Sequence, residues 1–237
     1  MLAIMIVFIA YMVKGLSGFG SGLIAIPLLA FFLPLSVIVP ALGLLSYGGT
    51  LYQSFSLRRQ VVWRDIWPLF PFSLVAIAAA LWLLVNLDTT TLTLALGIFI
   101  TIYSLYSLLS LSDLHGGRKW AILAGGLGGF VSAIFGTGGP FYVVYLKLRQ
   151  LNKTQFRASI AMVFLIDGGA RIGGYAMNGL YTHHVLWLVL ILLPVLVLAM
   201  YVGHRLHHKI EQKKFNQIIS VLLCVSGMML IAKTVVI

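Results

Sequence analysis

Charge is what this sequence has least of. Of its 237 residues, 9% are charged and 61% are hydrophobic, whereas soluble domains carry about 25% charged residues. A water-soluble globule of this length has too little polar surface to cover so much apolar side chain, so the solvent is lipid. Acid is scarcer still: 5 Asp and Glu stand against 16 Lys and Arg, for a net charge of +11. In a soluble protein that balance would suggest nucleic acid. Here most of the basic residues gather in short breaks between apolar runs, where they orient the chain and meet anionic lipid headgroups; no nucleic-acid partner is expected. The single cysteine, Cys224, excludes an internal disulfide and a cysteine-based metal cluster. No Gly-x-x-x-x-Gly-Lys-[Ser/Thr] run occurs, which leaves no phosphate-binding loop for a nucleotide. No cofactor and no metal are expected. No basic segment or small-residue cleavage site precedes the first apolar run, so that run is expected to stay as a membrane element.

What is present is apolar chain in eight runs, near 1–33, 36–57, 66–86, 90–111, 119–148, 156–179, 184–205 and 215–236. Six have about 20–24 residues, the length one helix needs to cross a bilayer. The first and fifth are longer, and each is broken at its centre by glycine. The chain also repeats itself. Gly18-Phe19-Gly20-Ser21-Gly22 aligns with Gly136-Thr137-Gly138-Gly139-Pro140, Gly48-Gly49 with Gly168-Gly169, and Trp67 with Trp187, in one order and at nearly one offset. The expectation is an all-α polytopic membrane protein, one integral membrane domain built as a duplication with repeats at 1–115 and 116–237.

The basic breaks are Arg58-Arg59 with Arg64, Arg118-Lys119, Lys147 to Arg157, and Arg205 to Lys214. If all eight runs crossed once, the first two clusters would lie opposite the last two, against the rule that basic loops face the cytoplasm. If runs one and five are re-entrant hairpins, every basic cluster falls on one side, and both termini, Asp88 and the His183-His184 turn fall on the other. The two repeats are then inverted, a plan that recurs in transporters, with broken helices meeting near the midplane. Both chain termini are expected outside, in the periplasm.

After each break a half-helix is expected to begin, near Leu23 and near Phe141. Its first N–H groups have no intrahelical partner and its dipole end is positive, which suits an anion. The glycines allow close approach of a ligand to backbone, and Ser17, Ser21, Ser132 and Thr137 add hydroxyl donors. Glycines in membrane helices also serve plain close packing. Lys14 falls about 13 residues into the first leg, near the midplane, where a lone ammonium needs a partner and a bound anion is one. Asp167 and Arg171 lie four residues apart on one helical face; an internal ion pair is one account of them, a substrate and proton role another. Asp167 is the one acidic residue well inside a run, and so the candidate proton carrier. His204, His207 and His208 share a helix end that reads as a solvated basic face.

These features resemble the TauE/SafE family of sulfite exporters, also called the TSUP family, over essentially the whole chain. The resemblance rests on the two repeats and on their openings, Gly-Phe-Gly-Ser-Gly followed by Pro27 and Gly-Thr-Gly-Gly-Pro. The family pattern is closer to Gly-x-Gly-Gly-Gly in both halves with a proline after each; here Ser21 and Pro140 each replace a glycine, and Tyr145 stands where the second proline belongs. The resemblance implies a secondary transporter, an exporter of sulfite, thiosulfate or an organosulfonate such as sulfoacetate across a bacterial inner membrane. The residues themselves argue only for a small anion. The candidate substrate-binding set is Lys14, Ser17, Gly18, Phe19, Gly20, Ser21, Gly22, Ser132, Gly136, Thr137, Gly138, Gly139 and Arg171. An anion channel of the same architecture remains an alternative. So does an intramembrane serine protease, since Gly15-Leu16-Ser17-Gly18 matches a Gly-x-Ser-Gly nucleophile context, but a histidine at membrane depth is lacking. Partners are the small anion, the bilayer and, as a candidate, a second copy of the chain.

The hairpin account has a direct check. In a background lacking Cys224, a cysteine placed near Leu35 should react with an impermeant thiol reagent added outside the cell. Reaction from the cytoplasmic side alone would refute it.

Overall fold

A computed structural model describes residues 2–17, 20–108, 116–206 and 212–236, and every regular element among them is helical. The first broken run becomes α1 (Leu2–Ser17) and α2 (Ser21–Leu29). There follow α3 (Leu35–Leu57), a short α4 (Trp63–Ile66) flanked by single 3-10 turns, α5 (Phe70–Asn86) and α6 (Thr89–Leu108). The second broken run gives α7 (Trp120–Phe135) and α8 (Gly139–Leu148), followed by α9 (Lys153–Met177), α10 (His183–Leu206) and α11 (Gln212–Val236). Among the described residues, five segments are long and apolar enough to cross a membrane: Leu35–Gln60, Trp63–Asn86, Thr89–Tyr106, Lys153–Met177 and His183–Gly203. The apolar part of α11, Ser220–Thr234, is shorter. The legs of the broken runs have 16, 9, 16 and 10 residues. At the helical rise none exceeds about 24 Å, less than a hydrocarbon core of about 30 Å.

Both half-helices start two residues before their expected positions, and the second break is narrower than the sequence indicated. Gly20 takes a left-handed conformation (φ 92°), which ends the first break at once. Pro140 sits in the first turn of α8, where its missing N–H costs nothing. The run from Gly128 to Pro140, glycine-rich at both ends, would make a longer break, but Gly128 and Gly129 lie inside α7.

The chain forms two compact packing units that cut across the proposed repeats. One comprises Met1–Ile38, Leu87–Ser110 and His183–Ile237. Within it α1 lies on α10, and α11 packs on both α6 and α2. Leu23, Ile24, Ala25, Ile26 and Leu29 of α2 are all buried, so this helix is apolar on every face because it is surrounded. Gly97 of α6 and Gly227 of α11 face one another so closely that a Cβ on Gly97 would lie 3.1 Å from the Gly227 carbonyl oxygen. Lys233, near the end of α11, donates to the carbonyl of Phe31 at 3.0 Å. The exit of the first broken run therefore lies with the C-terminal end of α11. Leu35 itself is buried while Phe32 is 60% exposed, so Phe32 is the better labelling position. Asp88 accepts from the backbone N–H of Thr91 at 2.8 Å and from its hydroxyl at 2.7 Å, which cap the start of α6 and hold the carboxyl below the usual range.

The other unit comprises Val39–Asn86 and Leu111–Thr182. Here α7 lies along α5 and α8 folds back on α7. The fold-back is complete: Gly116 N–H reaches the Leu148 carbonyl at 3.4 Å, and Arg149 Nη1 donates to the Gly116 carbonyl at 2.8 Å. The second broken run thus leaves at the end where it entered. At that same end Asp65 is buried and accepts from Arg118 Nε at 3.0 Å and Arg149 Nε at 3.1 Å. Val62 N–H donates to Ser159 Oγ at 3.1 Å nearby. Three of the basic breaks, expected to share one side, meet here. Beneath them Ile66, Leu69, Tyr142, Tyr145, Leu146 and Val163 form the core of the unit.

Gly125 and Gly129 let α5 approach α7 at backbone distance. A Cβ at Gly129 would stand 2.6 Å from the Ser73 carbonyl oxygen, whereas one at Gly126 meets nothing within 4 Å. Gly129→Ala should therefore destabilise by about 1–3 kcal/mol through overpacking. Gly126→Ala should leave the melting temperature unchanged or raise it. Thermal melts of the two variants side by side check this.

Candidate functional site

The second break is built by three residues with different tasks. Gly136 is left-handed (φ 64°) and its N–H caps α7 on the Ser132 carbonyl at 2.9 Å. Gly138 lies against Ser132 and the Gly128 carbonyl, and a Cβ there would run into both. A bulky residue at Gly138 would therefore test packing rather than binding. Between them Thr137 is 4% exposed, and its hydroxyl has no hydrogen-bond partner among the described residues. A buried hydroxyl left unsatisfied costs about 1–3 kcal/mol, and this one sits beside the N-terminal turn of α8.

Next to the break stands a buried acid. Asp167 is 3% exposed, in the middle of α9. Its Oδ1 accepts from Tyr142 at 2.7 Å, Ser132 at 2.9 Å and Ser73 at 3.3 Å. Its Oδ2 accepts from Ser132 at 2.8 Å and from Arg171 Nε at 3.0 Å. The Arg171 Nη1 donates to the Ser132 carbonyl at 2.9 Å. One turn further along α9, Tyr175 is fully buried and donates to the Ala133 carbonyl at 2.6 Å. Its ring meets Tyr181 edge-on at 6.4 Å. The Tyr181 hydroxyl also lacks a partner among the described residues, and burial pushes it up to about 12, so it stays protonated. Hydroxyls and a cation thus converge from α5, α7, α8 and α9 on one carboxylate.

Ser132, Gly136, Thr137, Gly138, Gly139, Asp167 and Arg171 therefore belong to one cluster in one packing unit. The internal ion pair that spacing offered as one account of Asp167 and Arg171 is present. The other sequence candidates lie in the other unit. Gly20 forms the left-handed turn, Ser21 is buried at the start of α2 with Gly22 next to it, and the Lys14 ammonium stands 5.7 Å from the Tyr11 ring centroid. Ser17 ends α1 and is described by its backbone alone; Gly18 and Phe19 fall outside the described residues, as do His207 and His208. Sequence reasoning missed Ser73, Tyr142 and Tyr175. Tyr175 carried a signal, since it continues the four-residue spacing of Asp167 and Arg171. Ser73 carried none, being one serine in an apolar run.

Short apolar helices broken at glycine, long apolar helices and a buried ion pair framed by hydroxyls define a polytopic membrane protein. The chain belongs to the sulfite exporter TauE/SafE family, whose profile matches residues 3–230. It is also similar to the probable inner membrane transporter protein TsaS of Comamonas testosteroni, at 28% identity over 180 residues, 73% of each chain. No solved structure matches it.

Asp167→Leu should cost about 3–5 kcal/mol, because it leaves the Arg171 guanidinium buried and unpaired. Asp167→Leu with Arg171→Met should recover much of that loss. A double-mutant cycle on melting of the purified protein measures the difference.

Proposed function

We propose that this chain is a secondary transporter that carries a small sulfur-containing anion across a bacterial inner membrane by alternating access. The cargo is sulfite, thiosulfate or an organosulfonate such as sulfoacetate, and the physiological direction is export. One observation carries the reading: Thr137, buried and without a partner among the described residues, sits at the positive end of α8, where the N–H groups of Gly138 and Gly139 precede the first turn bond, Phe141 N–H to the Gly138 carbonyl at 3.2 Å. That is a set of donors for a solute with surplus acceptors, and an oxyanion is such a solute. Ser132, Gly136, Gly138, Gly139 and Arg171 complete this set of donors. In the first break Lys14, Ser17, Gly18, Phe19, Gly20, Ser21 and Gly22 are the candidate substrate-binding residues. In this account the two repeats, 1–115 and 116–237, are inverted, both termini face the periplasm, and the protein works as a homodimer. The sulfur chemistry of the cargo rests on the family name, and the inner-membrane location on the name of the relative.

Thr137→Val is the discriminating variant, since it keeps shape and removes only the hydroxyl. Its melting temperature should equal or exceed that of the native protein, because an unsatisfied buried group is gone. Its affinity for the cargo anion should fall by roughly tenfold, the worth of one hydrogen bond to a charged group. Thermal-shift titration with sulfite, thiosulfate, sulfoacetate and sulfate reads both effects. Native-like binding by the variant, or no anion binding by the native protein, would overturn the reading.

A further inference from the structure

The surroundings of Asp167 bear on what drives the anion. The groups facing the carboxylate are Arg171 and Tyr175 from its own helix, Ser132 from α7, Tyr142 from α8 and Ser73 from α5. Two features separate this arrangement from an ion pair that only holds helices together. The carboxylate does not depend on Arg171 for its solvation, since three hydroxyls already donate to it. And hydroxyls donate to a carboxylate or accept from a carboxyl equally well. Ser73 and Tyr142 also lie 3.0 Å apart, so the one proton of Ser73 goes either to Asp167 or to Tyr142. The cage therefore remains hydrogen-bonded whether Asp167 is ionised or protonated; a cage of amides or lysines would fix it as the anion. Arg171 is also the less enclosed partner, with a side chain 15% exposed against 2% for Asp167.

Building on the anion-transport reading, we propose that Asp167 and the transported anion compete for the Arg171 guanidinium, so that a proton bound by Asp167 releases Arg171 to the anion. The proton goes from water to a carboxylate oxygen of Asp167, and the hydrogen bond from Arg171 Nε passes from that carboxylate to the anion. The charge balance favours such an exchange. Without cargo the site holds one carboxylate and one guanidinium; with a monoanion and a proton it holds a carboxyl, a guanidinium and the anion. Both are neutral, so neither form carries an unbalanced charge through a low-dielectric passage. Proton and anion then travel together, and net flux follows the product of their gradients. Such a cycle accumulates the anion on the alkaline side of the membrane and exports it only when the anion's own gradient exceeds the proton gradient.

Methanesulfonate and ethanesulfonate are the probes, because both stay monoanions between about pH 6 and 8. One-proton linkage allows at most about a tenfold change in affinity per pH unit, with tighter binding at lower pH. In weakly buffered solution the native protein should take up about one proton per anion bound, read with a pH-sensitive dye. This second measurement needs no variant. Asp167→Asn, which keeps the shape and an acceptor for Arg171, should bind at the low-pH affinity at every pH and take up no proton. Anion binding by the native protein with a flat pH profile and no proton uptake would overturn the coupling and leave the transport reading standing. Failure of these anions and of sulfite to bind at either pH would remove the transport reading itself.

Discussion

A carboxylate taken out of water keeps its charge only where the protein supplies what water did. Asp167 is placed that way, and the architecture of its packing unit follows from the requirement. Four helices must each bring a donor to within hydrogen-bond length of two oxygen atoms. Side chains as short as serine do this only if the backbones come nearly into contact. Ser73 reaches because Gly129 lets α5 in, Tyr142 because Gly128 leaves room beneath its ring, and Ser132 because Gly138 has no side chain to displace it. The glycines of this half are therefore the geometric condition of one buried charge, as well as of helix packing in general.

The broken runs and the meeting of three of the four basic breaks at one end were legible in the sequence because each follows from one local property. Glycine density marks where a helix stops, and lysine and arginine mark which ends stay in water. The ion pair was legible too, since four residues make one helical turn. The hydroxyl cage was not. Whether Ser73 or Tyr142 points at lipid or at a partner depends on a helix about 70 residues away in the chain, and a single serine in an apolar run has no local signature. For the same reason the task of Gly128 could not be separated from that of Gly136. Both are glycines near a break, but one makes room under an aromatic ring and the other turns the chain.

The two halves also differ where chemistry is concentrated. The offset that sets Gly18 opposite Gly136 sets Lys14 opposite Ser132, and the offset that sets Gly48 opposite Gly168 sets Tyr47 opposite Asp167. Tyr47 packs on Gly168 and Gly169, so the position that carries an acid in one half carries a ring lying against its neighbours in the other. One half thus offers an amine on its first leg, and the other an acid and a guanidinium on its long helix.

The order of synthesis gives the packing of α1 on α10 a further meaning. A ribosome releases the first broken run long before the helix that covers α1 exists, and α2 waits for α11, a helix more than 180 residues further along the chain. The second hairpin emerges to find α5 already in place. A half-length hairpin in lipid exposes backbone groups at a cost of several kcal/mol each. The first broken run therefore gains its packing partners within its unit only as α6, α10 and α11 follow it along the chain.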